Sequence, residues 1–265
     1  MVIYMDKVSI KDLYKKQTDF IDNEVTISGW VRTVRDSKTF GFIELNDGSY
    51  FNNLQIVFNN ELSNFEDICK LTISSTIIAT GKIVKTENAK QPFEMHATSI
   101  EIFNLSDADY PLQKKRHSFE YLRTVAHLRP RTNTFSAVFR IRSVAAFAIH
   151  EYFQSHGYVY VHTPIITCAD CEGSAEMFKL TTLNLDEPLP KKDGKTDFSQ
   201  DLFGRKAYIT GSGQLHGETF ASSFGKIYTF GPTLRSEDSN TKTHANEFWM
   251  IEPEISFCDL DGLMD

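Results

Sequence analysis

The chain has 265 residues, 41% of them hydrophobic, and a formal net charge of −7. That length suits one large domain or two smaller ones with a sizeable core, and the acidic balance argues against general coating of nucleic acid. No apolar run approaches the roughly 20 residues of a membrane helix, the N-terminus has no secretory apolar segment, and four cysteines make no disulfide framework in a chain this long, so a cytoplasmic protein without membrane contact is expected.

Residues 1–18 read as a short helix, with Ile10, Leu13 and Tyr14 at helical spacing. The pattern then alternates, as in half-buried strands, over 25–35, 39–45, 53–58, 76–84 and 93–103. Asn46-Asp47-Gly48 and Gly81 punctuate these runs, and a helix is expected over 63–70. Five short strands with a helix after the third suit a small closed Greek-key barrel of the OB type. Other small β-barrels remain open on this pattern. OB barrels bind single-stranded nucleic acid by stacking bases on exposed aromatic rings. Phe40 and Phe42 share a parity, so on pattern alone Phe42 could equally be barrel core.

Residues 114–131 hold Lys114, Lys115, Arg116, Arg123, Arg129 and Arg131 against Glu120 alone. A basic patch in an acidic protein suits a selective RNA contact; a solvated linker without a partner is the alternative. A long helix follows, capped by Asn133 or Thr134. Its apolar stripe runs through Val138, Ile141, Val144, Ala145, Ala148, Ile149 and Phe153, and Gly157 stops it. Residues 158–161 read as a strand ended by Pro164. Cys168-Ala-Asp-Cys171 has redox or zinc spacing without a second pair, and is read as accidental. Residues 183–204, rich in Lys and Asp with two prolines, are expected to be a mobile surface insertion. The glycines of 211–217 lack the Gly-Lys-Ser/Thr ending of a phosphate loop.

Residues 227–257 read as two strands joined by a polar loop over 238–246. On the second strand Phe248, Met250, Glu252 and Glu254 share one face. Trp249, Ile251, Pro253, Ile255 and Phe257 share the other, an apolar face expected to lie on a core. Thr233, Arg235 and Glu237 share a parity on the first strand. One face therefore carries an arginine, three acids and a ring, parts suited to a flat base and a polyphosphate; an amphipathic hairpin with solvated charges is the bland alternative.

Leu234-Arg235-Ser236-Glu237 followed by His244-x-x-x-Phe248-x-x-x-Glu252 resembles the second signature motif of class II aminoacyl-tRNA synthetases. The wording Phe-Gly-Pro-Thr-Leu-Arg-Ser-Glu-Asp-Ser-Asn-Thr over 230–241 and Glu-Phe-Trp-Met-Ile-Glu-Pro-Glu over 247–254 resembles the asparaginyl-tRNA synthetase form, and the resemblance runs through essentially the whole chain. It implies an α+β protein: an OB-fold anticodon-binding barrel over 1–105, a basic hinge over 106–131 whose charge meets the tRNA backbone, and the first part of an antiparallel-sheet catalytic domain over 132–265. The long helix, strand and Pro164 match the first class II motif, which implies a homodimer. The third motif, a glycine-rich strand–helix ending in arginine, has no counterpart after Phe257, so the resemblance implies an N-terminal portion that is inactive alone. The residues from Asp259 onward look like the start of a helix.

The implied reaction activates L-asparagine with ATP and transfers it to tRNA(Asn). By resemblance Arg235 clamps the α-phosphate and the substrate carboxylate, and Glu237 contacts the adenine or the tRNA end. Phe248 stacks the adenine, His244 reaches the outer phosphates, and Glu252 completes the ATP site. Glu172 binds the substrate ammonium, Gln214 contacts the amino acid, and Glu218 recognises its side chain. Phe42 stacks an anticodon base, Gln55 reads the central uridine, and Arg35 helps hold the loop. Mg2+ is expected, but the sequence offers no convincing ligand set. Two alternatives stand beside this reading. One is a non-catalytic RNA- or amino-acid-binding relative. The other is an aspartyl-tRNA synthetase, against which Gly217 argues, because aspartyl enzymes carry a lysine there, and Glu218 argues, because a carboxylate repels aspartate.

Overall fold

The computed structural model describes residues 8–87, 89–171, 173, 176–239, 241 and 243–264. They form two compact units, residues 1–142 and 143–265.

The first unit opens with α1 (Ile10–Lys15) and α2 (Gln17–Phe20). Ser9 caps α1 in a reciprocal box with Asp12, and the chain breaks at Lys16 (φ −127, ψ 41), so one expected helix is two short ones. Five strands follow: β1 (Glu24–Asp36), β2 (Phe40–Asn46), β3 (Leu54–Asn59), β4 (Thr76–Lys85) and β5 (Phe93–Asn104), with α3 (Phe65–Cys69) after β3. They close into a barrel in the order β1-β2-β3-β5-β4, the OB arrangement expected from the alternation. Val25, Ile27, Val31, Ile43, Leu45, Ile56, Phe58, Ile77 and Met95 fill its interior, and Ile10, Leu13 and Ile68 close it. Burying each such side chain contributes about 1.5–3 kcal/mol. Gly81 is required by close approach: a Cβ there would lie 2.3 Å from the His96 carbonyl oxygen. The connector after the barrel is folded, with α4 (Phe119–Thr124) capped by Ser118 and a 3-10 turn at Arg129–Arg131.

α5 (Asn133–Ser155) begins one residue beyond its cap. Thr132, extended at φ −79 and ψ 150, accepts at Oγ1 from Phe135 N, so the cap is Thr132 rather than Asn133 or Thr134. Gly157 (φ +80) ends the helix, with Gly157 N donating to Gln154 O and Tyr158 N to Phe153 O. That is the Schellman pattern, which needs a left-handed residue at this point.

In the second unit, β6 (Val159–Tyr160) pairs parallel with β12 (Lys226–Leu234), which pairs antiparallel with β13 (Glu247–Ile255). A separate sheet has the order β7 (Ile166–Thr167), β11 (Ala207–Ile209), β8 (Lys179–Leu180). The segment expected to be a mobile insertion is a folded hairpin of β9 (Lys191–Lys192) and β10 (Lys195–Thr196). Asp201 Oδ1 fastens its base by accepting from Thr182 N, Thr182 Oγ1 and Leu202 N at 2.7–2.9 Å. α6 (Gln214–Phe224) follows β11, and α7 (Leu260–Met264) starts where Asp259 Oδ1 accepts from Gly262 N.

The face of β12 carrying Tyr228 and Phe230 packs under the C-terminal part of α5. Tyr228 is fully buried, stacked on Phe153, with its hydroxyl against His150 Nδ1 at 2.6 Å. The expected core placement of the β13 apolar face does not hold: Trp249 is 41% and Ile251 40% exposed, and Phe257, at φ +58, is fully exposed. The β13 face is covered only in part: Trp249 meets the Phe230 ring edge-on at 5.3 Å and Ile255 is half-buried. The middle of the α5 stripe is uncovered, with Ile141 and Val144 about two-thirds exposed, whereas Phe153 at its end is stacked on Tyr228. Among the described residues no helix is long and apolar enough to cross a membrane.

Candidate functional site

The second unit gathers its chemistry on one face of β12 and β13. Antiparallel register sets Ile227, Thr229, Gly231 and Thr233 opposite Glu254, Glu252, Met250 and Phe248. The turn over residues 211–213 and the start of α6 lie on this face. Glu252 is the pin: its Oε2 accepts from Thr229 Oγ1 at 2.8 Å and from Gly213 N at 3.0 Å, and its Oε1 accepts from Ser212 Oγ. Gly213 leaves no room for a side chain, since a Cβ would sit 2.7 Å from Thr163 Oγ1 and 3.1 Å from Glu252 Oε2. A cleft of about 20 Å³ in this region is lined by Thr163, Thr210, Gly213, Thr229 and Glu252.

Arg235 stands just past β12, still paired through its N–H to Asn246 O. Its Nε and Nη2 donate to Gly211 O at 3.3 and 3.2 Å, and its guanidinium lies 5.6 Å from the Phe248 ring centre. The arginine is thereby held over the aromatic ring of the neighbouring strand, half-buried, and aimed across the same face. Planar guanidinium beside an aromatic face suits both phosphate and base.

Gln214 and Glu218 are one turn apart on α6 and directly bonded, Gln214 Nε2 to Glu218 Oε1 at 3.0 Å; Cys171 Sγ approaches Gln214 Oε1 at 4.0 Å. Gly217, between them in sequence, is buried against the sheet, where a Cβ would meet Ile227 Cδ1 at 3.3 Å and Glu254 Cγ at 3.8 Å. Burial, followed by the negative charges of Glu218 and Glu252, pushes the Glu254 carboxyl above the ordinary glutamate range.

The structure thus brings Arg235, Phe248, Glu252, Gln214 and Glu218 to one face. Glu237 and His244 lie outside it in the exposed loop after β12, where His244 bonds to Thr241 Oγ1. Glu172 lies outside the described residues. Among the described residues, no three His, Cys, Asp or Glu side chains gather in a way that could hold a metal ion.

The first unit carries the other candidate residues on the outside of the barrel. Phe42 points outward, so it is not barrel core; it pairs with Arg35 on β1 and Val57 on β3, and meets Phe40 edge-on at 5.6 Å. Arg35 lies 3.7 Å from Glu44, which is registered opposite Gln55. Gln55 Nε2 donates to Glu94 Oε2 at 2.8 Å, and Glu94 Oε1 takes a 2.9 Å bond from His96 Nε2. Glu94 was missed in the sequence. Its signal was the outward parity it shares with His96 on β5, but only the parallel β3–β5 pairing shows that it meets Gln55.

Comparison with known proteins gives two family matches. Residues 118–265 match "tRNA synthetases class II (D, K and N)", and residues 25–103 match "OB-fold nucleic acid binding domain". The asparagine–tRNA ligase of Acetivibrio thermocellus is 62% identical over 262 residues, covering 98% of this chain and 56% of that protein. The asparagine–tRNA ligase of Clostridium tetani is 60% identical over the same shares. The chain thus spans about half the length of these curated relatives. The solved asparaginyl-tRNA synthetase of Pyrococcus horikoshii complexed with asparaginyl-adenylate superposes with a TM-score of 0.81 at 25% identity, over 98% of this chain and 55% of that one.

Proposed function

We propose a reading for a chain that belongs to the class II tRNA synthetases of the D, K and N group: it is the anticodon-binding and first catalytic portion of an asparagine–tRNA ligase. The observation that carries the reading is the 62% identity with an asparagine–tRNA ligase, extending across both units. The complete enzyme would join L-asparagine to ATP, releasing pyrophosphate, and pass asparagine to tRNA(Asn) in the cytoplasm as a homodimer.

In this reaction the asparagine carboxylate attacks the α-phosphorus, so no side-chain nucleophile is needed. Catalysis is positioning and charge neutralisation. Arg235, steadied by Gly211 O and Phe248, supplies the positive charge for the α-phosphate and the substrate carboxylate. Phe248 offers a ring face for the adenine. His244 and Glu237, on the loop after β12, serve the outer phosphates and the adenine or tRNA end. Glu252 contributes differently from a direct ATP contact: its carboxylate is filled by donors from Ser212, Gly213 and Thr229, so it sets the turn that presents Gln214. Gln214 and Glu218 meet the substrate amide, and Glu172 its ammonium. Magnesium accompanies ATP in such reactions; among the described residues no three His, Cys, Asp or Glu side chains gather that could hold it without the nucleotide's phosphates.

On the barrel, Phe42 stacks a base of the anticodon, while Gln55, oriented by Glu94, donates and accepts at a uracil edge. Arg35 holds the loop beside it.

A chimera joining these 265 residues to the remaining C-terminal length of the Acetivibrio thermocellus relative tests the reading. ATP–pyrophosphate exchange should depend on asparagine and not on aspartate. Exchange driven equally by aspartate would overturn it.

A further inference from the structure

The first unit contains a cavity of about 1280 Å³ whose walls are the barrel end around Trp30 and Gly48, the connector 110–122, and the first turns of α5. That is above the range of about 300–1,000 Å³ usual for small-molecule sites, and it suits a segment of polymer. Lys114, Lys115, Arg116, Arg32, Arg131 and Arg140 line it, against Glu44 and Glu120.

Three guanidinium groups here are held by neutral acceptors only. Arg32 donates to Arg131 O at 2.7 Å and to Asn133 Oδ1 at 3.2 Å. Arg131 donates to Ser74 Oγ at 2.8 Å and to Tyr110 OH at 2.9 Å. Arg140 donates to Gly48 O at 2.7 Å. Among the described residues none of the three has a carboxylate within ion-pair distance, and Glu44 is engaged with Arg35. Burial holds the Arg32 guanidinium below its ordinary range; Tyr110 and Glu44 act against the shift, and the like charge of Arg131 acts with it. Six cationic side chains face two carboxylates around this open cavity, an excess of positive charge suited to an anion that comes from outside.

Trp30 supplies the second element. It is 46% exposed, and its ring packs within 3.5 Å of the point where a Cβ on Gly48 would stand. The glycine that places Arg140 therefore also seats the Trp30 ring. A cationic wall beside an exposed aromatic ring is the pattern of single-strand binding, in which backbone charge is neutralised and a base stacks.

We propose that this cavity is a second RNA-binding groove, distinct from the Phe42–Gln55 face, which holds the phosphodiester backbone of unpaired RNA while one base stacks on Trp30. The proposal rests on the reading above only for the identity of the natural RNA as tRNA; the groove chemistry is independent of it.

The test uses the whole 265-residue chain with Trp249→Phe, which leaves Trp30 as the single tryptophan. Oligoadenylate, which carries no anticodon sequence, is the groove probe, and a GUU-anticodon stem–loop is the probe for the Phe42 face. Oligoadenylate should quench Trp30 fluorescence. Trp30→Ala should weaken its binding about 5- to 100-fold, the loss of one base stack. Arg140→Gln should flatten the dependence of log affinity on log salt by about 0.7, one phosphate contact. Lys115→Gln with Arg116→Gln, on the exposed connector, should act in the same direction where Arg140→Gln disturbs folding. Stem–loop binding should fall with Phe42→Ala and hold in the groove variants. Oligoadenylate affinity and salt slope unchanged in all three groove variants would overturn the groove while leaving the anticodon reading intact. Binding of polyglutamate as tight as that of oligoadenylate would overturn it as well, by showing charge attraction without recognition of RNA.

Discussion

Gly213 N donates to Glu252 Oε2 at 3.0 Å across a gap of 39 residues, and this bond fixes the turn that starts α6 to the centre of β13. The same oxygen accepts from Thr229 on the paired strand. A carboxylate that accepts from three donors serves as a bracket, and the residues it brackets lead directly into Gln214. Replacing it by an amide turns one acceptor into a donor facing donors. Glu252→Gln should therefore destabilise the second unit by about 1–3 kcal/mol. Hydrogen exchange at the Gly213 amide, slow in the native chain and fast in the variant, is the readout. Unchanged protection there would remove Glu252 from this role.

Glu254 gives a pH dependence of known sign. Its folded-state carboxyl titrates above the ordinary 4.5, through burial and then through Glu218 and Glu252. The folded chain therefore binds the proton more tightly than the unfolded chain. Stability falls as pH rises from about the ordinary value through the raised one, and the penalty persists at neutral pH. Glu254→Gln should raise the melting temperature at neutral pH and leave it nearly unchanged at pH below the ordinary value. A gain of equal size at both would assign the effect to packing.

Specificity can be read at the start of α6. If Glu218 meets the substrate amide as proposed, Gly217→Lys with Glu218→Gln in the chimera reverses the charge there, and should weaken asparagine discrimination and admit aspartate. Because a Cβ at 217 meets Ile227 Cδ1 at 3.3 Å, the lysine should also cost about 1–3 kcal/mol in overpacking. Pyrophosphate exchange with each amino acid, alongside a melting curve, separates the two effects. Full retention of asparagine preference in a folded variant would place these residues away from the substrate side chain.

The barrel was legible in the sequence because its strands are half-buried, and alternation follows burial directly: the run expected at 25–35 is β1, Glu24–Asp36, and that at 93–103 is β5, Phe93–Asn104. The hairpin of β12 and β13 was legible for the same reason. The fate of its two faces was not. Parity shows that Trp249, Ile251 and Ile255 share a side, but whether anything covers that side depends on what else packs there. α5 shows the same limit, with a correct apolar stripe and little over it. Among the site residues, local motifs placed Arg235 and Phe248 together. The Gly213–Glu252 bond, the Glu94 contact to Gln55 and the Arg140 bond to Gly48 join positions 39 to 92 residues apart, and no spacing rule reaches that far.

The claim that this chain serves an asparagine tRNA is tested most directly at Gln55 and Phe42. The chain itself is titrated with a GUU-anticodon stem–loop and with the same stem–loop carrying cytidine at the central position. The account predicts tighter binding to the uridine form, a loss of about 1–3 kcal/mol in Phe42→Ala, the usual loss for one base stack, and collapse of the uridine preference in Gln55→Ala. Equal affinity for the two stem–loops, unchanged by either substitution, would contradict it.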